Sequence, residues 1–363
     1  MTQFRRPVEN ARVEIKPLTS IRGIASIWVV VYHLGTTLAY RGFLNWPSKI
    51  VENIIMGGGT FAVDTFFILS GYILAETYGT LRNSGTFFSH RVARILPLHV
   101  LVLSAMALGV VAMEKFGLYP ESLEFFSWSA LPFHYALINV WFGMAGWNGP
   151  TWSLNAELAA YLTFPTLQWV GRQLTGSVMF CAGVLFVLAD FALLATIGFQ
   201  ATGLVAIGRG LFGFGGGMLL CLAVGKRPSS WWVTPLCIIA IAGLACVNAY
   251  AFVIFPATVL ILALGAPGEG FFYRAMSGRL PVWLGRISYS IYLVHTPILI
   301  VGMQVLRRTP ALGQSQFGRI LSVTGYFVIT LATAELAWRY VEMPARRVIR
   351  DSLRRLGVSH LTR

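Results

Sequence analysis

The stretch that decides the fold reads Ile21-Arg22-Gly23-Ile24-Ala25-Ser26-Ile27-Trp28-Val29-Val30-Val31-Tyr32-His33-Leu34-Gly35. It is an apolar run with one cation near its start and one imidazole further along. At about 3.6 residues per turn, the step from Arg22 to His33 is close to three whole turns. Both side chains therefore fall on one side of a single helix, roughly 16 Å apart along its axis at about 1.5 Å per residue. Ionisable groups inside a membrane helix are costly and face a bundle interior or a cavity. Two on one stripe point to a lined path rather than a lipid-facing surface.

The rest of the chain fits that setting. Hydrophobic residues make up 56% of it and charged residues 12%, a balance too apolar for a soluble protein of this length. The net charge of +14 would suit nucleic acid, but a basic patch needs a soluble face to sit on. Here Lys and Arg collect in short segments between apolar spans, as a cytoplasmic-side charge bias does. Membrane lipid is the expected partner and nucleic acid is not. Cys181, Cys221, Cys237 and Cys246 lie in apolar stretches with no Cys-x-x-Cys pair, and read as buried, unpaired thiols. The histidines show no metal-ligand spacing, so no metal is expected. A polar tail with Arg5, Arg6, Arg12 and Lys16 precedes the first span. No small-residue cleavage site follows, which argues against a cleaved signal peptide.

A crossing needs about 20 mostly apolar residues. Ten segments read that way, near 23–40, 60–78, 95–113, 152–170, 177–197, 203–223, 231–247, 249–265, 287–306 and 320–338. The expected fold is an all-α integral membrane protein of about ten transmembrane helices. Its transmembrane domain covers 23–340, between basic cytoplasmic tails at 1–22 and 341–363. With the amino end inside, the inner segments collect both tails with Arg82, Arg91, Arg94, Arg172, Lys226, Arg227, Arg274, Arg279 and Arg286. The outer side receives only Arg41, Lys49, Lys115, Arg307, Arg308 and Arg319. That division predicts an even count with both termini cytoplasmic. Residues 114–150 are dense in Trp and Phe, which suits an interface layer or a re-entrant piece. A crossing there would make the count odd and invert the fourth span.

Several polar groups sit inside these spans. Phe61 to Leu74 reads FAVDTFFILSGYIL, with Asp64 about one turn in. An interfacial carboxylate and a functional one have equal claim to it. In Ser89 to Pro97, SHRVARILP, Arg91 and Arg94 share a helix face. They offer either a fork for phosphates or an ordinary anchor to anionic lipid, and the chemistry alone favours the anchor. In Thr151 to Tyr161, TWSLNAELAAY, Ser153 and Glu157 share a face. A carboxylate there needs Arg or His beside it, or a proton. His33 paired with Glu157 or Asp64 would make an oriented general base. Gly208 to Gly213, GRGLFG, matches GxGxxG by letter, but it lies in an apolar span with no strand before it. Helix packing through glycine explains it better, and Arg209 is left to meet Asp190 or an anionic ligand. Leu284 to Pro297, LGRISYSIYLVHTP, offers Ser288, Tyr289, Tyr292 and His295. Tyr292 and His295 share a face, and a satisfied interior histidine is the commoner outcome for such a residue.

In their order and spacing these motifs resemble the integral-membrane acyltransferase 3 family, which includes bacterial polysaccharide O-acetyltransferases and macrolide acyltransferases. The resemblance runs from the Arg22/His33 helix through VDTFFILSGY, RVARILP, WSLNAE and GRISYSIYLVHTP to the closing Tyr340-Val341-Glu342-Met343-Pro344-Ala345-Arg346-Arg347. It implies transfer of an acyl group, usually acetyl from acetyl-CoA, to a hydroxyl of a saccharide or lipid-linked glycan at the bacterial inner membrane. Acyl-CoA is then a donor substrate, and no permanently bound cofactor is implied; a homo-oligomer is left open. The family's functional positions fall on Arg22, His33, Arg91, Arg94 and Glu157. In that frame His33 and Glu157 are expected to be catalytic, with Asp64 as the alternative orienting carboxylate. Arg22, Arg91 and Arg94 would hold acyl-CoA, and Ser153, Tyr292 and His295 would lie on the acceptor side. The sequence departs from the family at Ala62, where glycine is usual, at Leu158, where a second acidic residue is frequent, and at His99, where an aromatic is common. It shows no added soluble domain of the SGNH-hydrolase type, so transfer is expected to be completed by the bundle or a partner. The rival classes are a proton- or anion-coupled transporter, which predicts flux without acyl-CoA consumption, and a structural subunit of a polysaccharide-export assembly.

Overall fold

The computed structural model describes residues 14–79, 84–117, 126–144, 146–198, 203–225, 230–309, 312–313 and 315–355. Every regular element among them is helical. Each of the ten expected segments is a helix: α1 (Lys16–Tyr40), α2 (Lys49–Tyr78), α3 (Ser84–Lys115), α5 (Trp152–Gly171), α6 (Gly176–Ile197), α7 (Gly203–Val224), α8 (Val233–Cys246), α9 (Ile254–Gly265), α12 (Ser288–Arg308) and α13 (Gln316–Ala337). Short helices α4 (Leu131–Tyr135), α10 (Phe271–Met276) and α11 (Arg279–Arg286) connect them, and α14 (Met343–Arg355) closes the chain.

The expected ten crossings are not all matched in length and apolarity. Seven helices among the described residues are long and apolar enough to cross a membrane: α1, α2, α3, α6, α7, α12 and the continuous run Gln316–Ser352. α5 has 20 residues, but Asn155, Glu157 and Gln168 dilute its apolar character. α8 has 14 residues and α9 has 12, which at about 1.5 Å each fall short of a hydrocarbon layer of about 30 Å. They pack against each other and against α2.

The boundaries of the expected tails also shift. α1 begins at Lys16, inside the stretch read as a tail, because Pro17 in the first turn has a backbone angle already set for a helix. At the other end, α13 runs through a π-helical turn, Trp338–Glu342, into α14, which packs on α3. Pro344 follows that turn and has no N–H for the carbonyl four residues back, and the ladder widens there. Between Gly117 and Thr151, the longest helix among the described residues is the five-residue α4. Trp147 is buried there beside Phe126 and Trp128, and its indole N–H donates to the Ser127 carbonyl at 2.9 Å. Arg5, Arg6, Arg12, Arg82, Phe125, Lys226 and Arg227 lie outside the described residues. None of the four cysteines is in a disulfide, and only Cys221 and Cys237 are buried; Cys221 Sγ donates to Glu76 at 3.8 Å, and Cys181 is exposed on α6.

The centre of the bundle is the contact of α2 with α7. A Cβ on Gly71 would lie 1.9 Å from the Phe214 carbonyl oxygen, and one on Gly217 would lie 1.9 Å from the Ile68 carbonyl oxygen. Close approach of backbones through small residues is a main source of helix association in lipid. Gly217→Val therefore pushes the two helices apart, at a cost of about 3 kcal/mol. It should lower the melting temperature and the monodisperse yield in detergent. Gly243→Val, at a position with open space around it, should leave both unchanged. Equal behaviour of the two variants would contradict this packing.

Candidate active site

α1, α2, α3, α5 and α12 line a half-open cavity of about 60 Å³, with room for a few waters. Its polar wall is Arg22 from α1, Ser70 from α2, Arg94 from α3, Ser153 and Glu157 from α5, and Ser288, Tyr289 and Tyr292 from α12. Glu157 accepts a hydrogen bond from Ser70 Oγ at 3.3 Å and a short one from the Tyr161 hydroxyl. Arg22 lies within electrostatic reach of it and Arg94 shares its cavity wall, whereas neither His33 nor His295 lines that cavity. Tyr292 donates its hydroxyl proton to the Pro150 carbonyl at 2.8 Å. Ser153 Oγ lies 2.8 Å from the same hydroxyl and 3.3 Å from the same carbonyl, so the two hydroxyls and the Pro150 oxygen form one hydrogen-bonded triangle.

Arg91 and Arg94 do not act as one fork. Arg94 lines the cavity. Arg91 donates to the Tyr78 hydroxyl at 3.1 Å and lies over the rings of Tyr78, Phe87 and Tyr161, at 5.3, 6.0 and 5.8 Å from their centroids. A guanidinium packs flat on aromatic faces with little desolvation cost, so the tyrosines draw it off the line to Arg94.

His33 is paired neither with Glu157 nor with Asp64. Its Nδ1 lies 3.0 Å from the Val29 carbonyl oxygen, one helical turn back, and 3.2 Å from Nε2 of His295. His295 repeats the first contact, with its Nδ1 3.1 Å from the Ile291 carbonyl oxygen. A carbonyl can only accept, so both Nδ1 atoms carry the proton, and this assigns the tautomers. His33 Nδ1–H is shared between Val29 and the lone pair of His295 Nε2, which also accepts from Thr296 Oγ1 at 3.2 Å. His33 Nε2 is left unprotonated, the form a general base requires. His295, expected on the acceptor side, packs against His33 and takes a share of its Nδ1–H. It connects to the cavity through Tyr292, whose ring centroid is 6.0 Å away.

A local feature of α12 holds this pair. Pro297 has no N–H, so the Leu293 carbonyl has no helical donor. Asn148 Nδ2 donates to it at 2.9 Å, tying the loop before α5 to α12 beside His295. Nothing in the local pattern of an Asn-Gly-Pro loop announces that contact.

Asp64 is committed elsewhere. Arg209 Nη2 lies 2.8 Å from both of its carboxylate oxygens, and the two side chains are 0% and 1% exposed. The Trp152 ring covers the guanidinium at 5.2 Å. Asp190, also 0% exposed, lies within electrostatic reach of this pair, and neither of its oxygens has a hydrogen-bond partner. The expectation that Asp64 orients the imidazole therefore gives way to a structural ion pair joining α2 and α7. Arg209 bonds the carboxylate on α2 rather than the one on α6, although α7 packs through glycine on both helices. Among the described residues, no three His, Cys, Asp or Glu side chains converge as a metal site would require.

A bundle of membrane-length apolar helices around an arginine- and glutamate-lined cavity defines a polytopic membrane protein with a polar interior; His33 and His295 do not line that cavity and lie behind its Tyr292 wall. A family model described as an acyltransferase domain, acyltransferase 3, matches residues 17–339, and the chain belongs to that family. It is 27% identical over 321 residues to "Acyltransferase MdmB" of Streptomyces mycarofaciens, across 81% of each chain. It is 24% identical over 392 residues to "Peptidoglycan O-acetyltransferase OatA" of Listeria monocytogenes, across 95% of this chain and 58% of the relative. "O-acetyltransferase OatA" of Staphylococcus aureus is 25% identical over 381 residues, across 91% and 57%. The chain thus spans just over half the length of these two O-acetyltransferases. No solved structure matches it.

Proposed function

We propose that this membrane acyltransferase moves an acyl group, acetyl in the first instance, from cytoplasmic acyl-CoA to a hydroxyl of a cell-surface or lipid-linked saccharide at the bacterial inner membrane. The observation that carries this reading is His33 Nε2, free to accept a proton and on the same helix as Arg22. The phosphates of the donor dock at the pole of Arg22 and Arg94, with Arg91 in its aromatic box beside them. The pantetheine arm follows the stripe between Arg22 and His33 and brings the thioester to the imidazole. His33 Nε2 takes the proton of the acceptor hydroxyl as its oxygen attacks the thioester carbonyl. The C–O bond forms, the C–S bond breaks, and the thiolate leaves and is protonated to free CoA. His295 supports the step because His33 Nδ1–H donates to it more strongly once His33 is cationic. Glu157 balances the arginines, and Ser153 and Tyr292 offer hydroxyls to the arriving sugar.

The test is CoA release from acetyl-CoA by protein reconstituted in nanodiscs, with and without a crude glycan acceptor. Acceptor-dependent CoA release with label appearing on the glycan is the expected result. Uptake of label into sealed vesicles with no CoA released would instead mark a transporter and overturn the proposal.

A further inference from the structure

Arg346 belongs to no role assigned so far. It lies on α14, just past the π turn, and its Nη2 is 2.5 Å from Oε2 of Glu342 one turn back. Glu342 is fully buried and also accepts a short hydrogen bond from Ser290. Ser290 follows Tyr289, which lines the cavity and donates to the carbonyl of Ile95, the residue after Arg94, at 2.7 Å. Three side-chain bonds therefore link Arg346, through Glu342, Ser290 and Tyr289, to the arginine wall of the cavity, and α14 packs directly on the helix carrying Arg91 and Arg94.

The charges there do not balance. Arg346 lies within electrostatic reach of both Arg94 and Arg91, and Arg22 within reach of Arg94 and Arg346. Four guanidiniums thus share a region with two carboxylates, Glu157 and Glu342. Clustered like charges at a membrane boundary are costly unless an anion joins them. Donors for such an anion are present, because the Nε–H groups of Arg91 and Arg346 are both buried without a hydrogen-bond partner. The Arg346 side chain is still 35% exposed, so a ligand can reach it. Guanidinium forks match phosphate oxygens in pairs of hydrogen bonds.

We propose that Arg346 is a fourth anion-binding arginine of the donor site, held by Glu342 until a phosphate or diphosphate group takes it over. The inference rests on the donor reading given above. A nucleotide diphosphate and an anionic lipid headgroup share this chemistry, and the proposal is for the nucleotide.

The test measures CoA affinity by calorimetry on the full chain in nanodiscs, once with zwitterionic lipid only and once with added phosphatidylglycerol. Arg346→Ala should weaken CoA by at least about 10-fold in both lipids, and Arg346→Lys should recover part of the loss. Arg339→Ala, which removes an exposed ion pair with Glu335 on the same run, should change nothing. Glu342→Gln keeps an acceptor for Ser290 and frees Arg346, so it should tighten CoA by about threefold. That opposite direction separates the effect from misfolding. Removal of Arg346 should leave KM unchanged for a truncated acetyl thioester without phosphates. Unaltered CoA affinity in Arg346→Ala overturns the proposal, as does a loss confined to phosphatidylglycerol discs, which would mark a lipid anchor. Wild-type protein that binds no CoA would instead remove the donor reading, and the role of Arg346 with it.

Discussion

His33→Ala lowers acyl transfer by about 10²–10⁴-fold while the protein still inserts and purifies as one species. The loss is chemical rather than structural, because among the described residues His33 bonds to its own helix and to His295 alone. No buried charge is left behind when the ring is removed. His295→Ala, which keeps Nε2 of His33 but frees the ring to turn, should cost less than His33→Ala and should act on kcat more than on KM. A well-folded His33→Ala variant with normal transfer would refute the assignment. The same protein separates a base from a covalent carrier. Radiolabel held by the wild type after exposure to labelled acyl-CoA alone, and absent from His33→Ala, would identify an acyl-imidazole formed by attack of Nε2 on the thioester.

Arg209→Leu should be the most damaging single change to the fold. It leaves Asp64 with no counter-ion and Asp190 with no cation nearby, inside helices that have no water to offer. Breaking a buried pair from one side costs about 3–5 kcal/mol. The expected result is a collapse of folded yield and a large drop in melting temperature, before any assay of activity. Replacing both partners by apolar residues, Asp64→Leu with Arg209→Met, should restore much of the yield, since the penalty comes from the stranded charge and not from loss of the bond. An Arg209→Leu protein that melts like the wild type but transfers no acyl group would overturn this, and would return Asp64 and Arg209 to the chemistry.

These two groups mark how far the sequence could be read. The apolar runs announce every long helix, because a lipid-exposed backbone must satisfy its own hydrogen bonds and each crossing has to be written as a continuous stretch. The stripe of Arg22 and His33 was legible for the same reason, as a fixed pitch puts them on one side of one helix. The lengths of α5, α8 and α9 were less so, since a short apolar helix sheltered by neighbours and one that crosses look alike in composition. The partners of the polar residues were not legible at all. Asp64 and Glu157 present the same signal, a carboxylate about one turn into an apolar helix, yet one is locked to Arg209 and the other faces the cavity.

By itself, then, the chain of residues determined an all-helical membrane bundle, the shared side of one helix that carries Arg22 and His33, and the polar residue types placed inside the spans. Only the packing decided that His33 leans on His295 rather than on an acid, that Arg91 leaves Arg94 for an aromatic box, and that Glu342 holds Arg346. The reason is the range of the forces. Helical periodicity and transfer into lipid act within one segment, and so can be read along it. A hydrogen bond or ion pair is settled within about 3 Å, between residues that are far apart in the chain, once every helix has found its neighbours.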